Sequence, residues 1–113
     1  MFNKGPAKPV SQLTLVTSVE GDTAVVRCTG KLIAGGTGPL QSEIRGLIPS
    51  HKRIVLDLAN LNYMDSSGLG SIIGLYTSAK TAGTRLELIN MSERVMSLFR
   101  MTNVLSLFEM PGA

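Results

Sequence analysis

The amino-acid sequence predicts one α/β domain whose mixed sheet starts with an antiparallel hairpin. Residues 13–18 and 23–29 both alternate and are rich in β-branched residues, and the turn-forming stretch 20–22 between them predicts the hairpin. Residues 53–58 and 85–89 are two further apolar runs, and the longest helical pattern of the chain lies between them. Two strands separated by a helix are expected to pair in parallel through a right-handed crossover, so the sheet should be mixed.

Helices are predicted between these strands. Pro39 suits the first turn of a short amphipathic helix that should end before Pro49. A longer helix is predicted from about Ser66 to Ala82, because apolar residues recur along it at helical spacing. Gly83 fits a left-handed cap at its end.

The remaining segments complete the predicted architecture. Residues 30–38 contain four glycines and are expected to form a loop. A third helix should begin after Ser92 and end near Asn103, and residues 105–108 are predicted to add a short last strand. The expected fold is therefore a mixed sheet of about four to five strands packed with about three to four helices.

Length and composition indicate a small cytoplasmic protein. A chain of 113 residues can bury one core, and residues 11–113 are expected to form it after a flexible tail at residues 1–10. The tail contains no apolar segment of the signal-peptide or membrane-spanning type, so membrane insertion is not expected. The one cysteine, Cys28, lies in an apolar alternation, as expected of a buried thiol in a reducing compartment.

The composition also argues against several kinds of chemistry. The net charge is +3, but the eleven basic residues are scattered and do not interleave with the five aromatic residues, so direct nucleic acid binding is not expected. One histidine, His51, and one cysteine cannot assemble a soft metal cluster, and no phosphate-binding glycine loop is present; no metal or cofactor is predicted. His51 is also the only histidine for a serine triad, and the Gly-x-Ser-x-Gly motif is absent. We therefore expect no catalytic residues and no enzyme activity.

The stretch 62–70 joins an apolar run to the long helix and carries the candidate site. Asp65, Ser66 and Ser67 offer side-chain oxygens where the helix should begin. One interpretation is that they only cap the helix, while Gly68 and two later glycines let it approach the sheet closely. The other is that a serine hydroxyl accepts a phosphate, which the helix dipole and free N–H groups would accommodate. Both can hold at once.

Four short stretches of the sequence resemble one protein family. Residues 55–58, 64–70, 92–95 and 107–108 look like those of the STAS domain, which occurs in sulfate transporters and anti-sigma factor antagonists. The most similar group is the stand-alone bacterial anti-sigma factor antagonists, also called anti-anti-sigma factors. The likeness extends over residues 13–109 and implies the STAS fold.

The resemblance implies a partner switch. In that family the serine directly after the aspartate is phosphorylated by an anti-sigma factor that is also a serine kinase, and this position maps to Ser66. The unphosphorylated antagonist binds the kinase and displaces the sigma factor, whereas the phosphorylated form is released. The protein would thus regulate transcription as a kinase substrate with no catalysis of its own.

The partner surface implied by the resemblance has two parts. Asp65, Ser67 and Gly68 lie in the same loop as Ser66 and would help to shape it. The other part follows the second strand, where the family has a Gly-x-Leu/Ile-acidic pattern but this chain has no acidic residue until Glu43. The predicted partner-binding residues there are the following: Lys31, Leu32 and Ile33. The sequence leaves open whether Leu32 and Ile33 are instead core residues or a self-association patch.

Two other functions stay open at this point. A STAS domain could act as a scaffold or regulatory subunit of a stressosome-like complex or of a membrane lipid-transport complex. It could also be a nucleotide-binding module, although no phosphate loop in this sequence supports that function.

Overall fold

The computed structural model of the protein describes residues 12–108, except for the side chains of Leu105 and Leu107. Four strands form one sheet in the order β1-β2-β3-β4. The strands are β1 (Leu13–Glu20), β2 (Thr23–Leu32), β3 (Arg53–Met64) and β4 (Arg85–Ile89). The helices are α1 (Gly38–Leu47), α2 (Ser66–Thr81), α3 (Glu93–Met101) and α4 (Leu105–Phe108), with a 3₁₀ turn at Ile48–Ser50 after α1. The predicted tail, residues 1–10, lies outside the described part of the chain.

The sheet is mixed, as the sequence predicts. β1 and β2 pair antiparallel across a tight turn at Gly21, whose φ of +61° is easily reached by glycine. β2 pairs with β3 in parallel, and so does β3 with β4. α1 and α2 make the two crossovers, so the hairpin and the parallel strands are both confirmed.

One face of the sheet carries the hydrophobic core. Fully buried side chains of the strands meet those of α1, α2 and α3 there. The largest of them are Leu32, Leu40, Ile44, Ile54, Leu56, Leu58, Ile72, Leu75 and Phe99. Cys28 belongs to the same cluster, as predicted, and burial raises the pKa of its thiol to about 12.

The opposite face of the sheet, which we call the open face, is polar and partly exposed. Its charged side chains pair across neighbouring strands. Arg53 on β3 contacts Glu87 on β4 at 2.8 Å (Nη2 to Oε1), and Arg27 on β2 lies 3.6 Å from Asp57 on β3 (Nε to Oδ2). Only Val55 among the apolar side chains of this face is buried within the described residues.

β2 and β3 extend furthest beyond their predicted ends. β2 continues to Leu32 through two irregularities in its pairing with β3, so the predicted loop is confined to residues 33–37. Gly30 permits this path, because its φ is +111° and a Cβ there would collide with the carbonyl oxygen of Gln12. β3 continues to Met64, so the predicted loop before α2 shrinks to the single residue Asp65.

The prediction of a last strand at residues 105–108 is wrong, because this segment is the short helix α4. Phe108 packs edge-to-face against Tyr76 of α2 and Phe99 of α3, with ring centroids 5.0 and 5.6 Å away. The aromatic side chain of this segment therefore packs between helices and does not extend the sheet. The predicted left-handed cap at Gly83 is confirmed, with a φ of +80°. Asn103, near which the third helix is predicted to end, is also left-handed, with a φ of +62°.

Candidate functional site

The candidate site lies where β3 ends and α2 begins. Asp65 alone separates the two elements, and its backbone is extended (φ −105°, ψ −174°). Its Oδ1 accepts a hydrogen bond of 3.0 Å from the backbone N–H of Gly68, which makes Asp65 the N-cap of α2. Ser66 and Ser67 are the first two residues of the helix, and both are exposed. The capping interpretation therefore applies to Asp65, and it leaves the serine hydroxyls available.

The Ser66 hydroxyl makes no hydrogen bond to any residue that the structure describes. His51, the only histidine, lies at the other end of β3, where its Nδ1 is 2.9 Å from the carbonyl oxygen of Leu47. Within residues 12–108, the histidine is therefore not positioned to activate Ser66 as a nucleophile, and no other side chain bonds to the Ser66 hydroxyl. An exposed, unbonded hydroxyl is suited to react with a group that another protein brings.

Asp65 also binds the loop that follows β2. Its Oδ2 accepts a hydrogen bond of 3.0 Å from the N–H of Ala34, and its own N–H donates to the carbonyl oxygen of Leu32 at 3.3 Å. The N–H groups of Ala34 and Gly68 hold the pKa of the Asp65 carboxyl below its usual range. The carboxylate thus joins both predicted parts of the partner surface.

Gly68 brings the start of α2 against the end of β2. A Cβ at this position would collide with the carbonyl oxygen of Leu32 and would lie 2.8 Å from Cγ of Met64. At Gly70 and Gly74, in contrast, an added Cβ would have nothing within 4 Å. The prediction that glycines allow the helix to approach the sheet closely is therefore confirmed for Gly68 and wrong for the other two.

The three partner-binding residues predicted to follow the second strand differ in exposure, and two of them, Lys31 and Leu32, are the last residues of β2. Lys31 is exposed, and its side chain makes no hydrogen bond or ion pair within the described residues. Ile33 is half-buried. Leu32 is a core residue, with 1% of its surface exposed, so its side chain cannot be a partner contact here. Of the alternatives that the sequence leaves open for Leu32, the structure supports the core residue.

Tyr63 is a candidate contact that the sequence prediction missed. It lies beside Lys31, because these two residues are partners in the pairing of β2 with β3, and 42% of its surface is exposed. The other aromatic rings of the described chain, at positions 76, 99 and 108, pack against one another. The sequence prediction ends the strand at residue 58 and so places Tyr63 in a loop. The signal that could have identified Tyr63 is its position, since it is an aromatic residue two positions before Asp65.

The remaining chemistry of the described residues is limited. No group of three or more His, Cys, Asp or Glu side chains within residues 12–108 could hold a metal ion. None of the helices in that range combines the length and the apolar character needed to cross a membrane.

Comparison with known proteins identifies the family. A family model of the STAS domain matches residues 14–111, so the chain belongs to the STAS domain family. The chain is similar to the anti-sigma-B factor antagonist of Bacillus subtilis (strain 168), with 38% identity over 79 residues, which cover 70% of this chain and 72% of the relative. The resemblance to anti-sigma factor antagonists is thereby confirmed.

Two solved structures of another family member have the same fold. The first is the anti-sigma factor antagonist SpoIIAA in its unphosphorylated form, with a TM-score of 0.69 and 26% identity over 81% of each chain. The second is the Bacillus cell fate determinant SpoIIAA in the phosphorylated form, with a TM-score of 0.67 and 24% identity. The second match covers 83% of this chain and 86% of SpoIIAA.

Proposed function

We propose that this protein is an anti-sigma factor antagonist that is switched off by phosphorylation of Ser66. In its unmodified form it binds an anti-sigma factor that is also a serine kinase, and it thereby frees the sigma factor for transcription. The modified form is released from the kinase. The observation that carries the proposal is the exposed, unbonded hydroxyl of Ser66 at the N-terminus of a 16-residue helix.

The phosphoryl transfer needs no catalytic group from this chain. The Ser66 Oγ attacks the γ-phosphorus of ATP on the kinase, an O–P bond forms, and the bond to the leaving ADP breaks. The hydroxyl proton goes to a base of the kinase, because Oγ makes no hydrogen bond to a described side chain that could accept the proton. The protein is therefore a substrate in this reaction.

The start of α2 can accommodate the product. The first turn of α2 contains no acidic residue, and the backbone N–H groups there favour an anion. A phosphoserine adds a charge of about −1.5 to −2, which changes the surface without requiring the helix to unfold. SpoIIAA, which has the same fold, exists in a phosphorylated form, and this supports the proposal.

The proposed partner surface surrounds Ser66. Tyr63 and Lys31 lie side by side at the end of the sheet, and the half-buried Ile33 continues the surface toward the loop after β2. Exposed aromatic residues often dominate binding energy at interfaces. Ser67 completes the surface on the helix, while Asp65 and Gly68 hold it in place.

The direct test is to incubate the protein with each anti-sigma factor kinase of its own organism and ATP, and to measure its mass. We expect a gain of one phosphate that is absent from Ser66→Ala and retained in the matched control Ser67→Ala. A phosphate that persists in Ser66→Ala would refute the assignment. Co-purification with a transporter ATPase, and with none of the kinases, would support the scaffold function instead.

A further inference from the structure

The carboxylate of Asp65 is shared between two segments that are far apart in the sequence. Oδ1 accepts from Gly68, three positions later, and Oδ2 accepts from Ala34, 31 positions earlier, each at 3.0 Å. Each carboxylate oxygen thus holds one N–H group. The first bond fixes the start of α2, and the second fixes the loop at residues 33–37.

The bond to Ala34 is the side-chain link between this loop and the candidate site. The other described hydrogen bonds of residues 33–37 stay within the loop, as from Gly36 N–H to the carbonyl oxygen of Ile33 at 2.9 Å, or go to the first turn of α1. Ala34 and Gly35 are exposed, so little packing holds the tip of the loop. Its position therefore depends on the Asp65 carboxylate.

We infer that Asp65 is a positioning residue that transmits the modification of Ser66 to the loop at residues 33–37. The Asp65 carboxylate accepts from the Gly68 N–H at the start of α2. A phosphate on the adjacent Ser66 would carry a like charge and would find its donors among the same backbone N–H groups. When the phosphate takes those N–H groups, the carboxylate turns away and the Ala34 N–H loses its acceptor. One modification then alters both parts of the partner surface. This inference rests on the proposed function only for the choice of Ser66 as the modified serine.

Hydrogen exchange of the Ala34 amide, followed by NMR, tests the inference. Phosphoserine is incorporated at position 66 during synthesis, so no kinase is needed. We expect the Ala34 amide to exchange about ten-fold faster in the phosphorylated protein than in the unmodified one. Phosphoserine at Ser18, an exposed residue toward the other end of the sheet, is the control of equal charge and should change that rate less than about two-fold.

Asp65→Asn separates transmission from a merely structural role. Asparagine is as good an N-cap as aspartate but keeps only one acceptor oxygen for the two N–H groups. We expect the asparagine oxygen to keep the hydrogen bond to the Gly68 N–H, so that the Gly68 amide stays protected from exchange. The Ala34 amide should then exchange faster in Asp65→Asn than in the unmodified protein, even without phosphate. Phosphoserine at position 66 should then add less than about a two-fold change.

Two outcomes would overturn the inference. The first is an exchange rate of the Ala34 amide that is the same with and without phosphoserine at position 66. The second is an increase of that rate by phosphoserine that is as large in Asp65→Asn as in the protein with Asp65. Both are distinct from failure of the proposed function. If no kinase modifies Ser66, the mass test fails while the exchange result stands, because the phosphate in the exchange experiment is built in.

Discussion

The junction of β3 and α2 around Ser66, which we call the Ser66 junction, and the open face of the sheet both carry exposed polar groups. The two regions differ in whether those groups are paired with other side chains. On the open face, Arg53 holds Glu87 at 2.8 Å, and Asn90 donates to Asp57 at 3.0 Å. At the junction, the hydroxyl of Ser66 on α2 and the ammonium group of Lys31 on β2 make no hydrogen bond or ion pair within the described residues. The backbone below them is nonetheless fixed by Asp65 and Gly68.

The difference separates structural polar groups from available ones. Charges that pair with each other on an exposed sheet contribute about 0–1 kcal/mol each to stability and present little to a partner. Groups without partners on a rigid frame can bind another protein without first breaking internal bonds. Exposure alone would not have distinguished the two regions.

Among the substitutions, the largest loss of partner binding should come from Tyr63→Ala. We expect it to weaken binding of the proposed kinase partner by about 30-fold, equivalent to about 2 kcal/mol, because an exposed aromatic ring three residues before Ser66 is suited to be an interface anchor. The unfolding free energy should change by less than about 0.5 kcal/mol. The matched control is Ile89→Ala, which removes an exposed apolar side chain, 39% accessible, from the open face. If calorimetry showed that both variants lose the same affinity for the partner, the Ser66 junction and the open face would not differ in their contribution to binding.

A second effect concerns the frame below Ser66. Gly68→Ala should lower the unfolding free energy by about 1–3 kcal/mol, because the added methyl group must displace Leu32 or Met64. Gly70→Ala is the matched control in the same helix and should raise stability by up to about 1 kcal/mol, since its Cβ meets open space and alanine is the better helix former. Urea denaturation measures both. Similar results for the two variants would mean that the close approach at Gly68 is not required.

The smallest effect should be on the open face, at Glu87. Hydrogen bonds from Arg53 hold the pKa of Glu87 below its usual range, so the unfolded chain takes up a proton at a higher pH than the folded protein does. The stabilisation is therefore complete above the usual value of about 4.3 and is lost as the pH falls through the lower, folded value. Glu87→Gln should cost up to about 1 kcal/mol at pH 7 and flatten the pH dependence below about pH 4. A variant with unchanged acid sensitivity would show that this pair contributes nothing.

The order and type of most elements could be predicted from the sequence, because each rests on a local signal. β-branched alternation predicted the hairpin, and apolar spacing predicted α1 and α2. The far end of β3 could not be predicted, since Ala59, Asn60 and Asn62 are exposed strand residues of types that are depleted in strands. Neither could α4, whose Phe108 is held by aromatic contacts with other helices.

The candidate site also has parts that follow from local sequence and parts that depend on contacts between distant residues. Asp65, Ser66 and Gly68 follow one another at a strand-to-helix junction, so their grouping is visible in the sequence. The bond from Asp65 to Ala34 is not visible, because it crosses 31 positions and depends on how β2 and β3 pair. Leu32 illustrates the same limit, since only the pairing of β2 shows that its side chain enters the core.

In the proposed function, the modification of Ser66 decides whether the partner binds. The most direct measurement is the affinity of the kinase partner, loaded with nucleotide, for the unmodified protein and for the protein carrying phosphoserine at position 66. We predict that the phosphoserine protein binds at least about ten-fold more weakly, a loss of about 1.4 kcal/mol or more. Equal or tighter binding of the phosphoserine protein would contradict the proposed switch.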